Sequence, residues 1–121
     1  MAKAILIVDP YEDDRALFAL ILREEGYEVA AAASREEVAA LLAEVQFDLI
    51  ITEAFEQPDC FRFDPAFLAA LRSVADDTPI VLSSICPSAQ TLRASRYDLV
   101  AVLPKPFTVE ELLEKVSGLL G

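Results

Sequence analysis

Phe47-Asp48-Leu49-Ile50-Ile51-Thr52-Glu53 is the stretch whose reading decides the fold. Leu49, Ile50 and Ile51 form a short unbroken apolar run, unlike the alternation of a strand with one wet face. The stretch therefore reads as a central parallel strand covered by helices on both sides. It ends in a carboxylate. In open parallel sheets, ligands and chemistry gather beyond the carboxyl ends of the strands, which makes Glu53 the first candidate for a functional residue.

Outward from this strand the chain alternates. Ile5-Leu6-Ile7-Val8 before Asp9-Pro10 is another buried strand, stopped by the proline. A helical pattern begins near Glu12, with Leu17, Leu20 and Ile21 on its inner face and Gly26 placed to end it. Tyr27 to Ala31 is a less apolar strand suited to a sheet edge. Ser34-Arg35-Glu36-Glu37 has the form of a capping box, and Val38, Leu41, Leu42 and Val45 then repeat at helical spacing. Beyond Glu53, the segment from Ala54 to Asp64 reads as an aromatic and charged loop, and Pro65 opens a third helix with Leu68, Leu71 and Val74 inward. Ile80 to Ser84 is a fourth strand. Pro87 opens a poorly periodic fourth helix running to about Ser95, whose weak stripe suits a mobile or partner-facing element. Leu99 to Leu103 is a fifth strand. Thr108-Val109-Glu110-Glu111 is a second capping box, leading into the stripe Val109, Leu112, Leu113, Val116. Five strands alternating with five helices imply right-handed crossovers and a doubly wound parallel sheet in a three-layer α/β/α domain.

The bulk composition narrows what such a domain does. Its 121 residues suit one domain spanning 1–121, and 55% hydrophobic residues with three glycines favour a packed core. Ten basic against 21 acidic residues give a net charge of −11, with no basic cluster to follow a phosphate backbone, so direct nucleic-acid binding and attraction to an anionic membrane are not expected. No apolar run approaches the roughly 18 residues of a membrane-spanning helix, and the first residues lack the pattern of a signal peptide. A cytoplasmic location is the expectation. The chain has no histidine, which removes Ser-His and Cys-His nucleophilic catalysis and the commonest transition-metal ligand.

With the five strands parallel, Asp9, Glu53, Ser84 and Lys105 share one crevice at the strand ends. Taken singly, a strand-end Asp is a turn former, a Ser a capping group and a Lys a solvated charge; their convergence is the specific signal. Asp9, Glu12, Asp13 and Asp14 together offer a cation site as one reading, and the plainer one takes Glu12, Asp13 and Asp14 as acids at a helix N-terminus, favoured by the macrodipole. Cys60 and Cys86 form no CxxC motif. They follow strand ends in neighbouring loops, so pairing them into a redox-sensitive disulfide is one reading, and two unrelated small apolar residues is the plainer one.

Several pieces carry a resemblance along the whole chain: Ile5-Leu6-Ile7-Val8-Asp9 with Arg15 following, Glu25-Gly26-Tyr27-Glu28-Val29, Phe47 to Ile51, Thr78-Pro79-Ile80-Val81, and Lys105-Pro106-Phe107 before a capped last helix. Together they resemble the receiver domain of two-component response regulators. The resemblance implies a flavodoxin-like sheet of strand order 2-1-3-4-5, and it raises a cis Lys105-Pro106 peptide. It implies a regulatory module of phosphorelay signalling, not an enzyme, in which an aspartate accepts a phosphoryl group with the help of Mg²⁺.

The departures from the family pattern fall on that chemistry. Glu53 stands at the phosphoacceptor position. The acid pair ending the first strand is Asp9-Pro10, and proline offers no side-chain ligand, so no metal site is expected, Asp9 and Glu53 being the carboxylates left to one. Ser84 and Lys105 match the phosphate-sensing hydroxyl and amine, whereas Val102 occupies the aromatic switch position. The loop after Glu53 is about three residues longer than usual and lacks an Asp-Gly turn. The first reading is a pseudo-receiver that binds a protein partner, either a sensor kinase or an output protein, through the fourth helix, fifth strand and fifth helix, roughly Pro87 to Leu120, with homodimerisation as a further possibility. A fixed Glu53–Lys105 pair supported by the Ser84 hydroxyl would mimic part of the phosphorylated state. The alternative is a working phosphoacceptor that uses Glu53 or an acid such as Asp59 with Mg²⁺. A flavin or small-molecule site ranks last, for want of a Gly-rich phosphate loop.

Overall fold

A computed structural model describes residues 2–56 and 62–121. The strands β1 (Ala4–Val8), β2 (Glu28–Ala32), β3 (Leu49–Thr52), β6 (Ile80–Ser84) and β7 (Ala101–Pro104) form one sheet in the order β2-β1-β3-β6-β7. Every pairing in it is parallel. Counted in chain order, these five strands give 2-1-3-4-5, with β2 at an edge as expected. A separate antiparallel pair, β4 (Phe55–Glu56) and β5 (Arg62–Phe63), lies between β3 and the third helix. The four α-helices are α1 (Glu12–Glu24), α2 (Arg35–Glu44), α3 (Pro65–Ala75) and α4 (Val109–Leu120).

Alternate residues of the buried strands feed two cores. Leu6, Val8, Ile50, Ile80 and Leu82 pack with Val38 of α2 and Leu68, Leu71 and Ala75 of α3. Ile5, Ile7, Leu49, Ile51, Val81 and Leu103 pack on the other face with Phe18, Ile21 and Leu22 of α1 and Leu112 and Val116 of α4. β1, β3 and β6 are buried at every position, as the unbroken apolar runs require. Each fully buried Leu or Ile contributes about 1.5–3 kcal/mol, so the sheet centre is the stable frame on which the strand ends are presented.

The helix termini follow local chemistry. The Ser34 hydroxyl accepts the Glu37 amide, while the Glu37 carboxylate reaches back to Ala33, one residue beyond the cap. Thr108 and Glu111 make the full reciprocal box. Gly26, at φ 94°, supplies the left-handed turn that ends α1. The Lys105-Pro106 peptide is cis.

Four expectations are corrected. Leu17 and Leu20 are 49% and 59% exposed, because the buried stripe of α1 runs one position later through Phe18, Ile21 and Leu22. Val45, Val74 and Val109 are likewise exposed: Val45 is the C-cap of α2, and α3 and α4 bury Ala75 and Leu112 instead. The fourth helix is not an α-helix but two 3-10 turns, Pro87–Thr91 and Ala94–Tyr97. That stretch has no stripe at a period of 3.6, and its hydroxyls bond locally, Thr91 Oγ1 donating to the Ser88 carbonyl at 2.9 Å. The segment read as a loop after Glu53 contains the short β4–β5 pair, closed at its base by the Asp64 amide donating to the Ala54 carbonyl.

Asp59 and Cys60 lie outside the described residues. Cys86 is buried and disulfide-bonded, so it is not a separate thiol. A thiol-reactive dye is expected to label Cys86 in the folded protein only after reduction; labelling without reductant would contradict the bond.

Candidate functional site

The parallel sheet brings three of the sequence-selected residues together. Lys105, in the turn after β7, extends its ammonium to Asp9 Oδ2 at 2.7 Å and lies 3.8 Å from Glu53 Oε1. A third carboxylate joins them: Asp14 Oδ2 is 2.9 Å from the same Nζ. Glu12 and Asp13 stay exposed on the outer side of α1, as helix N-terminal acids do. Asp14 differs because it sits one helical turn before the buried Phe18 and so shares its inward face.

The Asp9 and Glu53 carboxylates are further constrained by the backbone. Asp9 Oδ1 accepts the Tyr11 amide at 2.9 Å, closing a tight turn that carries the chain past Pro10 into α1. Arg15 ties the same turn by donating to the Asp9 carbonyl. Glu53 follows β3 directly; its amide bonds to the Val8 carbonyl, and its Oε2 accepts the Ala54 amide at 3.0 Å. The Glu53 side chain is therefore folded back on its own backbone and buried.

Ser84 and Val102 stand apart from this cluster. The Ser84 hydroxyl accepts the Cys86 amide and caps the turn after β6, while the Ser84 carbonyl accepts the Lys105 amide. Ser84 thus positions the lysine through its backbone, whereas its side chain is engaged with the following turn. Val102 packs partly buried against the α2/α3 core. The ring contact on that side joins Phe63 and Tyr97 edge to face, with centroids 5.1 Å apart, and it links the β4–β5 pair to the second 3-10 turn.

Burial opposes the charge on Lys105, but hydrogen bonds to Asp9 and Asp14 and the nearby charges of Asp9 and Glu53 outweigh it and raise the pKa above the ordinary 10.5. A raised lysine pKa favours the folded state fully below the unfolded value, and this contribution disappears as pH climbs through the folded one. The stability difference between wild type and Lys105→Met should therefore stay flat from neutral pH to about 10 and shrink above it. Urea melts across that range would contradict this if the difference grew with pH.

A strand-end site on an open parallel sheet defines a doubly wound α/β domain whose function gathers at one edge. The sequence profile described as "Response regulator receiver domain" matches residues 5–117, and the chain belongs to that family. A response regulator receiver protein of Anaeromyxobacter sp. is 34% identical over 90% of this chain. The chain spans about half the length of the curated relatives it matches, 45% and 51%. Among solved structures, the Vibrio cholerae chemotaxis response regulator CheY4 superposes with a TM-score of 0.82 at 27% identity, covering 99% of this chain and 100% of that one. The Thermotoga maritima response regulator TrrA, in complex with Mg²⁺ and BeF, does so at 0.79 and 30%, covering 98% and 99%.

Receiver domains are regulatory modules of two-component signalling that work with kinases and output domains and bind Mg²⁺ at the phosphorylation site. The residues here do not match what that ion requires. Mg²⁺ needs near-octahedral oxygen coordination, keeps several waters and is usually anchored by one or two carboxylates. Pro10 offers no side-chain donor, one oxygen each of Asp9 and Glu53 is bonded to a backbone amide, and an ammonium lies among the oxygens facing the pocket. Among the described residues, no group of three His, Cys, Asp or Glu is arranged to hold a metal ion, and no helix is long and apolar enough to cross a membrane.

Proposed function

We propose that residues 1–121 form one receiver-like domain that works in cytoplasmic signalling by binding a protein partner, without phosphoryl transfer. The observation that carries this reading is the posture of Glu53, whose carboxylate accepts the Ala54 amide and is 5% exposed. An acid held in this way is poorly presented to an incoming phosphoryl group, and Pro10 beside Asp9 supplies no carboxylate to steer one. Glu53 occupies the phosphoacceptor position, Ser84, Val102 and Lys105 the switch positions, and none of them performs catalysis. A constitutive Glu53–Lys105 contact would stand in for part of the modified state, with Lys105 shared by Asp9 and Asp14.

The partner surface in this reading is the face from Pro87 to Leu120: the two 3-10 turns, β7 and α4. Val100 and Val109 are exposed there, and a groove of about 520 Å³ runs between β7 and α4, lined by Val100, Val102, Pro104, Lys115 and Leu119 among others. A sensor kinase, an output protein or a second copy of the chain are the occupants to test.

The alternative reading keeps a working phosphoacceptor that uses Mg²⁺. TrrA, solved with Mg²⁺ and BeF, favours it, as does a lysine retained at the end of the last strand. An amide NMR titration with Mg²⁺ and then beryllofluoride, followed at Glu53, Ser84 and Lys105, separates the two. The first reading expects no saturable shift in a folded sample; saturable shifts at those residues would restore the second.

A further inference from the structure

We infer that the open edge of β7 receives an extended segment of the partner protein, which adds a sixth strand to the sheet in the groove beside α4. This rests on the reading of residues 87–120 as the partner face, and it names the form in which the partner arrives. β7 is a terminal strand, with β6 on one side and no strand among the described residues on the other. The Val100 amide donates to the Ile80 carbonyl, and Val102 stands in register with Leu82. Successive residues of a strand turn their backbone groups to opposite sides, so Ala101 and Leu103 direct N–H and C=O away from β6 and into the groove. The other edge of the sheet is guarded. On β2, Arg23 donates to the Val29 carbonyl at 2.9 Å and Glu28 stands exposed, whereas β7, Ala101-Val102-Leu103-Pro104, carries no charge.

Gly118 is the second observation. It sits at an ordinary position inside α4 and lines the groove, yet a side-chain carbon built there would meet nothing within 4 Å. Neither packing nor backbone conformation demands glycine here, and glycine is a poorer helix former than alanine. The gap it leaves lets another backbone lie close against α4. The side chains of an added strand would alternate between two surroundings. On one face they meet Val102 and Val100, the latter 49% exposed. On the other they meet the α4 wall, where Glu111, Glu114 and Lys115 stand on a chain of net charge −11, which favours a positively charged segment. The occupant that fits is a short stretch of alternating apolar and basic residues, matched to the four residues of β7.

The test is an amide NMR titration of the whole chain with a synthetic peptide of alternating lysine and valine. Saturable shifts are expected at Ala101, Leu103 and Gly118, with hydrogen exchange at the Ala101 and Leu103 amides slowed at least about tenfold and a glutamate–valine peptide binding at least about tenfold more weakly. Two versions N-methylated on alternate residues, one for each edge of the peptide, separate strand pairing from side-chain contact: one should bind like the parent and the other at least about tenfold more weakly. Equal effects of the two, or no saturable binding of the parent, overturn this inference and leave the interaction-module reading standing. Binding elsewhere on the domain with residues 87–120 silent counts against that reading as well. Slowed exchange at Ala101 and Leu103 in concentrated wild type without peptide would give the edge to a second copy and overturn the choice of occupant. Gly118→Leu should fold at least as stably as wild type and bind the lysine–valine peptide at least about tenfold more weakly; undiminished binding would remove the segment from the groove. Should Gly118→Leu fail to fold, the N-methylated pair decides alone.

Discussion

Replacing Lys105 with methionine is expected to lower folding stability by about 3–5 kcal/mol at neutral pH, because it removes the cation that pairs with the buried Asp9 and with Asp14 and lies close to Glu53. Asp9 and Glu53 are 2% and 5% exposed, too deep for water to replace the ammonium at low cost. The loss should be the same from neutral pH to about 10 and smaller above it. Asp14→Asn should cost far less, about 1 kcal/mol, since the Asp14 side chain is 33% exposed and its ion pair is partly screened. Urea denaturation of the two variants beside wild type provides the comparison. Equal stability of wild type and Lys105→Met would mean that the three carboxylates do not depend on the amine, and the account of the site given above would fall with it.

Phe18→Ala is expected to cost about 3–5 kcal/mol, the usual loss for truncating a fully buried aromatic. Phe18 is 2% exposed, in the middle of the core formed by α1, α4 and the sheet, and its ring packs on Phe107 with centroids 5.1 Å apart. The cavity would open beneath Lys105, so the amine should also become more reactive toward acylation. Leu17→Ala and Leu20→Ala, one position before and two after it, should each change stability by about 0.5 kcal/mol or less, because both side chains already face solvent. A melt in which either leucine variant matched the phenylalanine variant would place the buried stripe of α1 on the other face.

That stripe also explains which parts of the site were legible. Unbroken apolar runs such as Ile5 to Val8 and Leu49 to Ile51 announce buried parallel strands, and from their order the meeting of Asp9, Glu53 and Lys105 follows without any side-chain detail. Asp14 is singled out less clearly, as one of several acids near Asp9, because α1 has apolar residues all round, at 17, 18, 20, 21 and 22, and pattern alone favours the face of Leu17 and Leu20. Centring the stripe on Phe18 would have placed Asp14, four residues earlier, above the sheet. Its position among three acids at a helix N-terminus hid it further, since the macrodipole accounts equally well for all three.

Other departures have local causes that a single sequence shows weakly. The exposed Val74 and Val109 fit the helical period but lie at the margin of the buried arc, where one step of rotation decides between core and water. The β4–β5 pair is only two residues per strand, below the length at which alternation can be recognised. Ser84 was correctly placed at a strand end, yet the partner of its hydroxyl depends on where the next turn puts the Cys86 amide, and no periodicity encodes that.

The two 3-10 turns that replace a fourth α-helix change how that side of the molecule stores its order. An α-helix of that length would stand or melt as a unit, since each turn is locked by the bonds of the next. Here Ala89 is the buried anchor of the first turn, Ala94 and Tyr97 are half-buried anchors of the second, and Leu92 bridges them. Each turn can therefore open for the loss of one or two side-chain contacts, with no lever arm to carry the disturbance along. Amides from 88 to 97 should exchange with solvent well before those of β6 and β7. A partner that settles on this face would shape the backbone it binds.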